Sequence, residues 1–98
     1  MKIDFTKKFT NFNGEVLKDA TSGKEMSLGE VCIEALLAID KNENIDGVER
    51  VRRYNLASEI YKNKDTLAAE EVVLLKELIG KYYTPIIVGQ AFPILDGE

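Results

Sequence analysis

The start of the chain has the two-residue period that is typical of a β-strand. Ile3 and Phe5 alternate with Asp4, and Phe9 and Phe12 continue the apolar positions less regularly. The pair Asn13-Gly14 is a strong hairpin turn signal, since both residue types accept a positive φ angle. We therefore predict an N-terminal β-hairpin with strands near residues 3–12 and 15–18, followed by a polar loop that reaches residue 25.

Beyond residue 26 the apolar period changes to that of a helix. Ser27 and Glu30 have the spacing of a capping box, in which each side chain accepts a hydrogen bond from the backbone of the other residue. The apolar series that follows occupies one helical face: Leu28, Val31, Cys32, Ala35, Leu36 and Ile39. Further apolar residues widen this stripe, which predicts a central helix covered on several sides.

Two more helices are indicated by caps and by apolar spacing. Asp46 and Glu49 form a second capping box, for a helix that runs to about residue 63. One face of that helix is semi-polar and places it at the periphery: Val51, Tyr54, Ala57, Ser58 and Tyr61. Asp65 or Thr66 is the predicted cap of a third helix, whose apolar positions are Leu67, Val72, Leu75, Leu78, Ile79 and Tyr82.

The C-terminal stretch allows two interpretations. The run Ile86-Ile87-Val88 is β-branched and favours a strand. Thr84 followed by Pro85 is a typical pair for the start of a helix. We favour a short helix that begins at Pro85. We place its end at about Phe92, because Pro93 would end either a helix or a strand.

Together these elements predict an α+β fold in which an N-terminal β-hairpin packs on a three- to four-helix bundle. The chain has 98 residues, enough for a single domain. Its predicted parts are the hairpin and loop, residues 1–26, and the helical part, residues 27–98.

Composition narrows the range of partners and compartments. The net charge is −4, so the phosphate backbone of a nucleic acid would be repelled and no nucleic acid partner is expected. No stretch approaches the roughly 20 apolar residues that span a bilayer, and no secretory signal is evident, so no membrane partner is expected. The one cysteine, Cys32, excludes an intramolecular disulfide and fits a cytoplasmic protein.

The chain contains no histidine, which removes the commonest general base and the commonest metal ligand. We expect neither an enzyme nor a cofactor. Asp40, Asn42, Asn44 and Asp46 resemble a calcium-binding loop, but neither possible register supplies the glutamate required at the last ligand position. We therefore expect no metal site, and a helix–helix turn is the simpler interpretation.

Two groups of residues are candidates for binding. Aromatic and aliphatic side chains of the kind enriched at interfaces form a candidate interaction surface: Tyr54, Tyr61, Tyr82, Tyr83, Ile86, Ile87 and Phe92. Basic side chains form a candidate anion site: Arg50, Arg53 and Lys62. The alternative interpretation is an ordinary core edge for the first group and a solvated helix face for the second.

Two segments carry a resemblance to a class of small accessory proteins encoded by tailed phages and prophages. They are KIDFTKKFTNFNGEVLKD at residues 2–19 and EEVVLLKELIGKYYTPIIVGQAF at residues 70–92. The resemblance implies an assembly protein or an inhibitor of a host protein, in the cytoplasm of a bacterial host, and implies no catalytic or binding residue.

The function expected from the sequence is that of a non-catalytic protein-interaction module, with a phage or host protein as partner and homo-oligomers possible. The alternative is a protein that binds or sequesters a small ligand, such as a nucleotide or metabolite. In that case the basic residues and a tyrosine would form the contacts.

Overall fold

The structure, a computed structural model, describes residues 2–38 and 42–97 and contains four helices in this part of the chain. They are α1 (Leu28–Leu37), α2 (Gly47–Tyr61), α3 (Ala69–Tyr82) and α4 (Pro85–Leu95). Helix α1 packs against α2 and α3, and α3 packs against α4. Within the described ranges, none of the helices has the length and apolar character needed to cross a bilayer.

The predicted α+β fold with an N-terminal hairpin is wrong, because the protein is mainly helical. Residues 2–26 form no sheet; their described pairings are isolated antiparallel bridges at Lys2–Thr66, Lys8–Ser27, Thr10–Val16 and Lys18–Glu25. The predicted strands 3–12 and 15–18 are therefore extended chain, and the division at residue 26 separates an extended arm from the helices.

Competition for backbone groups explains why no ladder forms. The Phe9 amide donates to Met26, the Leu17 amide donates to Phe9, and the Met26 amide donates to Leu17. Each of the three segments thus pairs with both of the others over one bridge, and no pairing is long enough to form a ladder. At the turn, the Asn11 side chain accepts from the amides of Asn13 and Glu15, a local arrangement that replaces further cross-strand bonds.

Ser27 and Asp46 are confirmed as the N-cap residues of α1 and α2, each through one of the two hydrogen bonds of its predicted capping box. The Ser27 hydroxyl accepts from the Glu30 amide at 3.4 Å, and the Asp46 carboxylate accepts from the Glu49 amide at 2.8 Å. The cap predicted for α3 is wrong. Helix α3 begins after Ala68, whose amide donates to the Glu71 carboxylate at 2.7 Å.

The C-terminal stretch is a helix, as favoured from Thr84 and Pro85, and it is longer than predicted. Helix α4 continues through Pro93 to Leu95. Pro93 lies near the end of the helix, where the missing amide removes one hydrogen bond without interrupting a long ladder. Gln90 joins α4 to the extended arm, because its side chain both donates to and accepts from the backbone of Thr10.

The core is built from the inward faces of the four helices together with Ile3 and Phe9 of the arm and Leu67 before α3. Its largest fully buried side chains are Phe9, Leu28, Val31, Cys32, Leu75, Ile79 and Leu95. Burial raises the pKa of the Cys32 thiol to about 12. Cys32 is therefore an inert small hydrophobic residue of the core.

Candidate interaction surface

A strip of uncharged side chains runs along the outward side of α2, with the exposed charged residues Arg50 on one edge and Arg52 and Glu59 further round on the other. The inward side of the helix carries Arg53, Leu56, Ala57 and Ile60, all buried. Four side chains on the other side have large exposed fractions: Val48 79%, Val51 58%, Tyr54 63% and Tyr61 79%. We call Val51, Tyr54, Ser58 and Tyr61 the α2 seam, since they follow one another along this side.

A shallow apolar groove lies between α1 and α2 beside the seam. It has a volume of about 250 Å³ and is lined by Ile33, Leu37, Tyr54, Ala57, Ser58 and Tyr61. Leu37 is 52% exposed on the α1 side. The two helices run in opposite directions, because Gly29 at the start of α1 approaches Ile60 near the end of α2. The groove therefore follows α2 for about two turns, from Tyr54 to Tyr61, and α1 for about one turn, from Ile33 to Leu37.

The basic candidates Arg50, Arg53 and Lys62 do not form one site. Arg53 is buried, and its guanidinium donates to Glu43 at 2.8 Å and to Glu49 at 3.4 Å. Lys62 follows the last turn of α2 and is exposed. Twelve residues separate it from Arg50, which corresponds to about 18 Å along a helix axis. Arg53 therefore has a structural role, whereas Arg50 and Lys62 lie towards opposite ends of α2.

Glu43 is the centre of the charge cluster beside Arg53. It accepts from Arg53 and, at 2.9 Å, from the Lys81 ammonium on α3. The hydrogen bond from Lys81, and then that from Arg53, holds the pKa of the Glu43 carboxyl below its ordinary value of 4.5. The cluster thus connects the segment before α2 to both α2 and α3.

Arg50 borders a second cavity, of about 170 Å³, at the C-terminal end of α1. This cavity is lined by Leu36, Leu37, Ala38, Glu43, Ile45, Arg50 and Arg53. Because Leu37 lines both cavities, the second one continues the groove. Among the residues that the structure describes, Arg50 forms no ion pair. The exposed Arg50 guanidinium, at the end of the groove near the C-terminus of α1, is therefore available to a ligand.

The C-terminal candidates lie on a different part of the molecule and are mostly packed. Ile87 is buried, and Tyr82, Tyr83, Ile86 and Phe92 are half-buried against the core. The structure therefore does not bring them together with Tyr54 and Tyr61 on one surface.

Tyr82 and Tyr83 differ in how their hydroxyl groups are satisfied. The Tyr83 hydroxyl donates to Glu34 on α1 at 2.8 Å. Burial, and then the hydrogen bond to Glu34, raises the pKa of Tyr83. The Tyr82 hydroxyl is buried without a hydrogen-bond partner in the described ranges. Both rings contribute to packing, and Tyr83 fastens α1 to the end of α3.

The candidate sets named from the sequence leave out five residues of the seam and groove: Ile33, Leu37, Val51, Ala57 and Ser58. A signal for Val51 was present. Gly47, Val51, Tyr54, Ser58 and Tyr61 are spaced by four, three, four and three residues, the repeat of a helix contact seam. No equivalent signal marks Ile33 and Leu37, because the neighbouring positions on α1 are apolar as well.

No group of three or more cysteine or carboxylate side chains is placed to hold a metal ion within residues 2–38 and 42–97. Asp40, the first residue of the calcium-like loop, lies outside these ranges. No protein-family description, curated protein or solved structure matches the chain. A function must therefore be argued from the chemistry of the surface itself.

Proposed function

We propose that the protein is a non-catalytic interaction module that binds another protein through the α2 seam and the adjoining groove. The observation that carries this proposal is the exposure of Tyr54 and Tyr61 on a helix side that has no charge between them. Solvent-facing helix sides are ordinarily polar and charged. Contiguous apolar surface on a small protein marks contact sites, and tyrosine is enriched in their centres.

The chemistry of the surface suits a protein partner. Each exposed tyrosine offers a large apolar ring and a hydroxyl that can still bond to water or to a partner. The groove walls belong to two packed helices, so the surface is preformed and little conformational entropy is lost on binding. The net charge of −4 favours a basic partner.

The resemblance of residues 2–19 and 70–92 to phage-encoded accessory proteins supports a phage setting for this activity. In that setting the partner is a virion component or a host protein, and the module acts in assembly or in inhibition of the host. Both alternatives predict the same behaviour of the α2 seam.

The proposal is tested by affinity capture from bacterial lysate, with and without phage infection, read by mass spectrometry. The test variant is Tyr54→Ser/Tyr61→Ser. The matched control is Phe12→Ser, which removes an aromatic ring that is fully exposed (102%) on the extended arm. We expect a partner that the wild type and the control retain and the test variant loses. Equal capture by all three proteins would contradict the proposal.

A small anionic ligand is the second candidate, and Arg50 is the observation that favours it. The open guanidinium at the end of an apolar groove would pair with a phosphate or carboxylate, and Tyr54 would lie against an apolar or aromatic body. A thermal-shift screen of nucleotides and organic acids tests this candidate. A rise in melting temperature that Arg50→Met abolishes would support it, and the absence of any shift would exclude the compounds screened.

A further inference from the structure

Asn13 and Gly14 form an exposed turn on the extended arm that the proposed function does not use. Both residues are exposed, and the Gly14 amide donates to the Asn11 carbonyl at 3.0 Å. Gly14 has a φ of 84°, in the left-handed region that favours glycine. Apart from its chain neighbours, no described residue comes within 4 Å of the position that a Cβ atom would take. The backbone at Gly14 is therefore open on the side where other residues carry a side chain.

The side chain of Asn13 is free, in contrast to that of Asn11. The side-chain oxygen of Asn11 accepts from the amides of Asn13 at 2.9 Å and Glu15 at 3.1 Å. Within residues 2–38 and 42–97, the Asn13 side chain makes no hydrogen bond. It can therefore change its rotamer and bring its amide carbon towards the backbone nitrogen of Gly14.

The residue that follows an asparagine controls whether these two atoms can meet. A side chain on that residue hinders the approach of its backbone nitrogen, whereas glycine has no side chain and has the widest backbone freedom. The chain contains six asparagines, and only Asn13 is followed by glycine. The other five precede larger residues: Phe12, Glu43, Ile45, Leu56 and Lys64.

We propose that Asn13 is a site of spontaneous covalent modification, at which the Gly14 nitrogen closes a succinimide ring that water opens to aspartate or isoaspartate. Asparagine is among the thermally labile residues of proteins. The sequence, the free side chain and the open glycine backbone all favour ring closure at this asparagine. The modification is independent of the interaction proposed for the α2 seam.

The reaction needs only water. The Gly14 nitrogen loses its proton to hydroxide and forms a bond to the side-chain carbon Cγ of Asn13. The bond between Cγ and the side-chain nitrogen breaks, and ammonia leaves after taking a proton from water. Water then opens the ring. Cleavage between the ring nitrogen and Cγ gives aspartate, and cleavage between the ring nitrogen and the backbone carbonyl carbon gives isoaspartate.

The two products differ in their effect on the arm. Both replace a neutral amide by a carboxylate and so add one negative charge to the net charge of −4. Isoaspartate also adds a carbon atom to the main chain inside the turn, so we expect it to disrupt the bridge between Thr10 and Val16. Gln90 holds Thr10 through two hydrogen bonds, at 3.0 and 2.7 Å, and should confine the disturbance to the turn.

The test is storage of the purified full chain in neutral buffer at physiological temperature, with samples taken over several weeks. Trypsin cleavage after Lys8 and Lys18 leaves residues 9–18 as one peptide, which contains both Asn11 and Asn13. Digestion at mildly acidic pH prevents the reaction during sample preparation, and tandem mass spectrometry locates the change. We expect aspartate and isoaspartate to accumulate at Asn13 while Asn11 stays intact. The rate should rise with pH, because the Gly14 nitrogen must lose its proton.

Two variants test the role of ring closure. Gly14→Ala adds a methyl group beside the attacking nitrogen and should slow the reaction by about an order of magnitude. Asn13→Gln keeps a side-chain amide but would need a larger ring, so residue 13 should stay unmodified over the same period. Circular dichroism reports whether each variant keeps its helices.

Three results would overturn the inference. One is modification of Asn13 that is no faster than that of Asn11. Another is a product that contains aspartate without isoaspartate, because direct hydrolysis of the side chain gives aspartate alone. The third is a rate that neither Gly14→Ala nor Asn13→Gln lowers.

Discussion

The guanidinium of Arg53 donates to the carboxylate of Glu43 at 2.8 Å, from a position where Arg53 is only 7% exposed. The same carboxylate accepts from Lys81, so one acidic residue anchors the segment before α2 to α2 and to α3. A buried guanidinium is stable only when it is paired, and Glu43 is thus required by the position of Arg53.

The first prediction concerns acid stability and Glu43. Its pKa in the folded state lies below the ordinary value of 4.5. The resulting stabilisation is present above the unfolded-state pKa and is lost as pH falls through the folded-state pKa. We expect Glu43→Gln to be less stable than the wild type at neutral pH and to lose less stability on acidification. Urea unfolding across the range in which Glu43 titrates measures both effects.

The control for this experiment is Glu15→Gln. Glu15 is exposed and forms no side-chain ion pair among the described residues. It should follow the acid profile of the wild type. If Glu43→Gln also follows the acid profile of the wild type, Glu43 does not contribute to the loss of stability at low pH.

The second prediction concerns the start of α3. Ala68 occupies the N-cap position with an extended backbone, φ −75° and ψ 159°, and its methyl group cannot accept a hydrogen bond. Ala68→Ser supplies that acceptor and should raise the free energy of unfolding by about 0.5–1 kcal/mol. Denaturant titration measures the gain. Ala69→Ser, one position inside the helix, should give none; equal gains in both variants would show that capping is not the cause.

The third prediction contrasts two adjacent tyrosines. Tyr82→Phe removes a buried hydroxyl that has no partner in the described ranges, so stability should be unchanged or raised by about 1 kcal/mol. Tyr83→Phe removes the hydrogen bond to Glu34 and should cost about 1 kcal/mol. Thermal and chemical unfolding of the two variants provide the comparison. The reverse order of stability would show that the two hydroxyl groups are assigned the wrong roles.

Local signals in the sequence predicted the helices better than the arm. The caps at Ser27 and Asp46, and the Thr84-Pro85 pair, act within a few residues, and each marks a helix start in the structure. The Asn13-Gly14 turn is also local, but a strand needs a continuous partner. The arm instead divides its pairing among three segments that meet at single bridges. That division depends on the tertiary arrangement, which the sequence pattern does not express.

The sequence predicts only part of the candidate surface, because the exposure of a side chain also depends on the tertiary arrangement. Tyr54 and Tyr61 were identified by type, and the structure exposes both on one helix side. Ile87 belonged to the same candidate group as the two tyrosines, but it is buried. Exposure depends on how the helices pack against one another. Arg53 was named as an anion-site candidate because of its charge, but it occupies a buried position on the core side of α2.

The fourth prediction separates binding from folding at the surface. Tyr54 and Tyr61 are mostly exposed, so Tyr54→Ser/Tyr61→Ser should change the free energy of unfolding by no more than about 0.5 kcal/mol per site. Leu75→Ala, in the core, should cost about 2–5 kcal/mol. Urea unfolding measures both. A large loss in the tyrosine variant would mean that the α2 seam supports the fold of the monomer.

Hydroxyl-radical footprinting of the α2 seam tests the central claim most directly. Dilute purified protein is oxidised alone and in an extract of the cells that make it, and the oxidation rates of Tyr54, Tyr61 and Phe12 are read by mass spectrometry. We predict that the extract protects both tyrosines and leaves Phe12 as reactive as before. Tyrosines that are oxidised equally fast with and without the extract would contradict the assignment of this side of α2 as a binding surface.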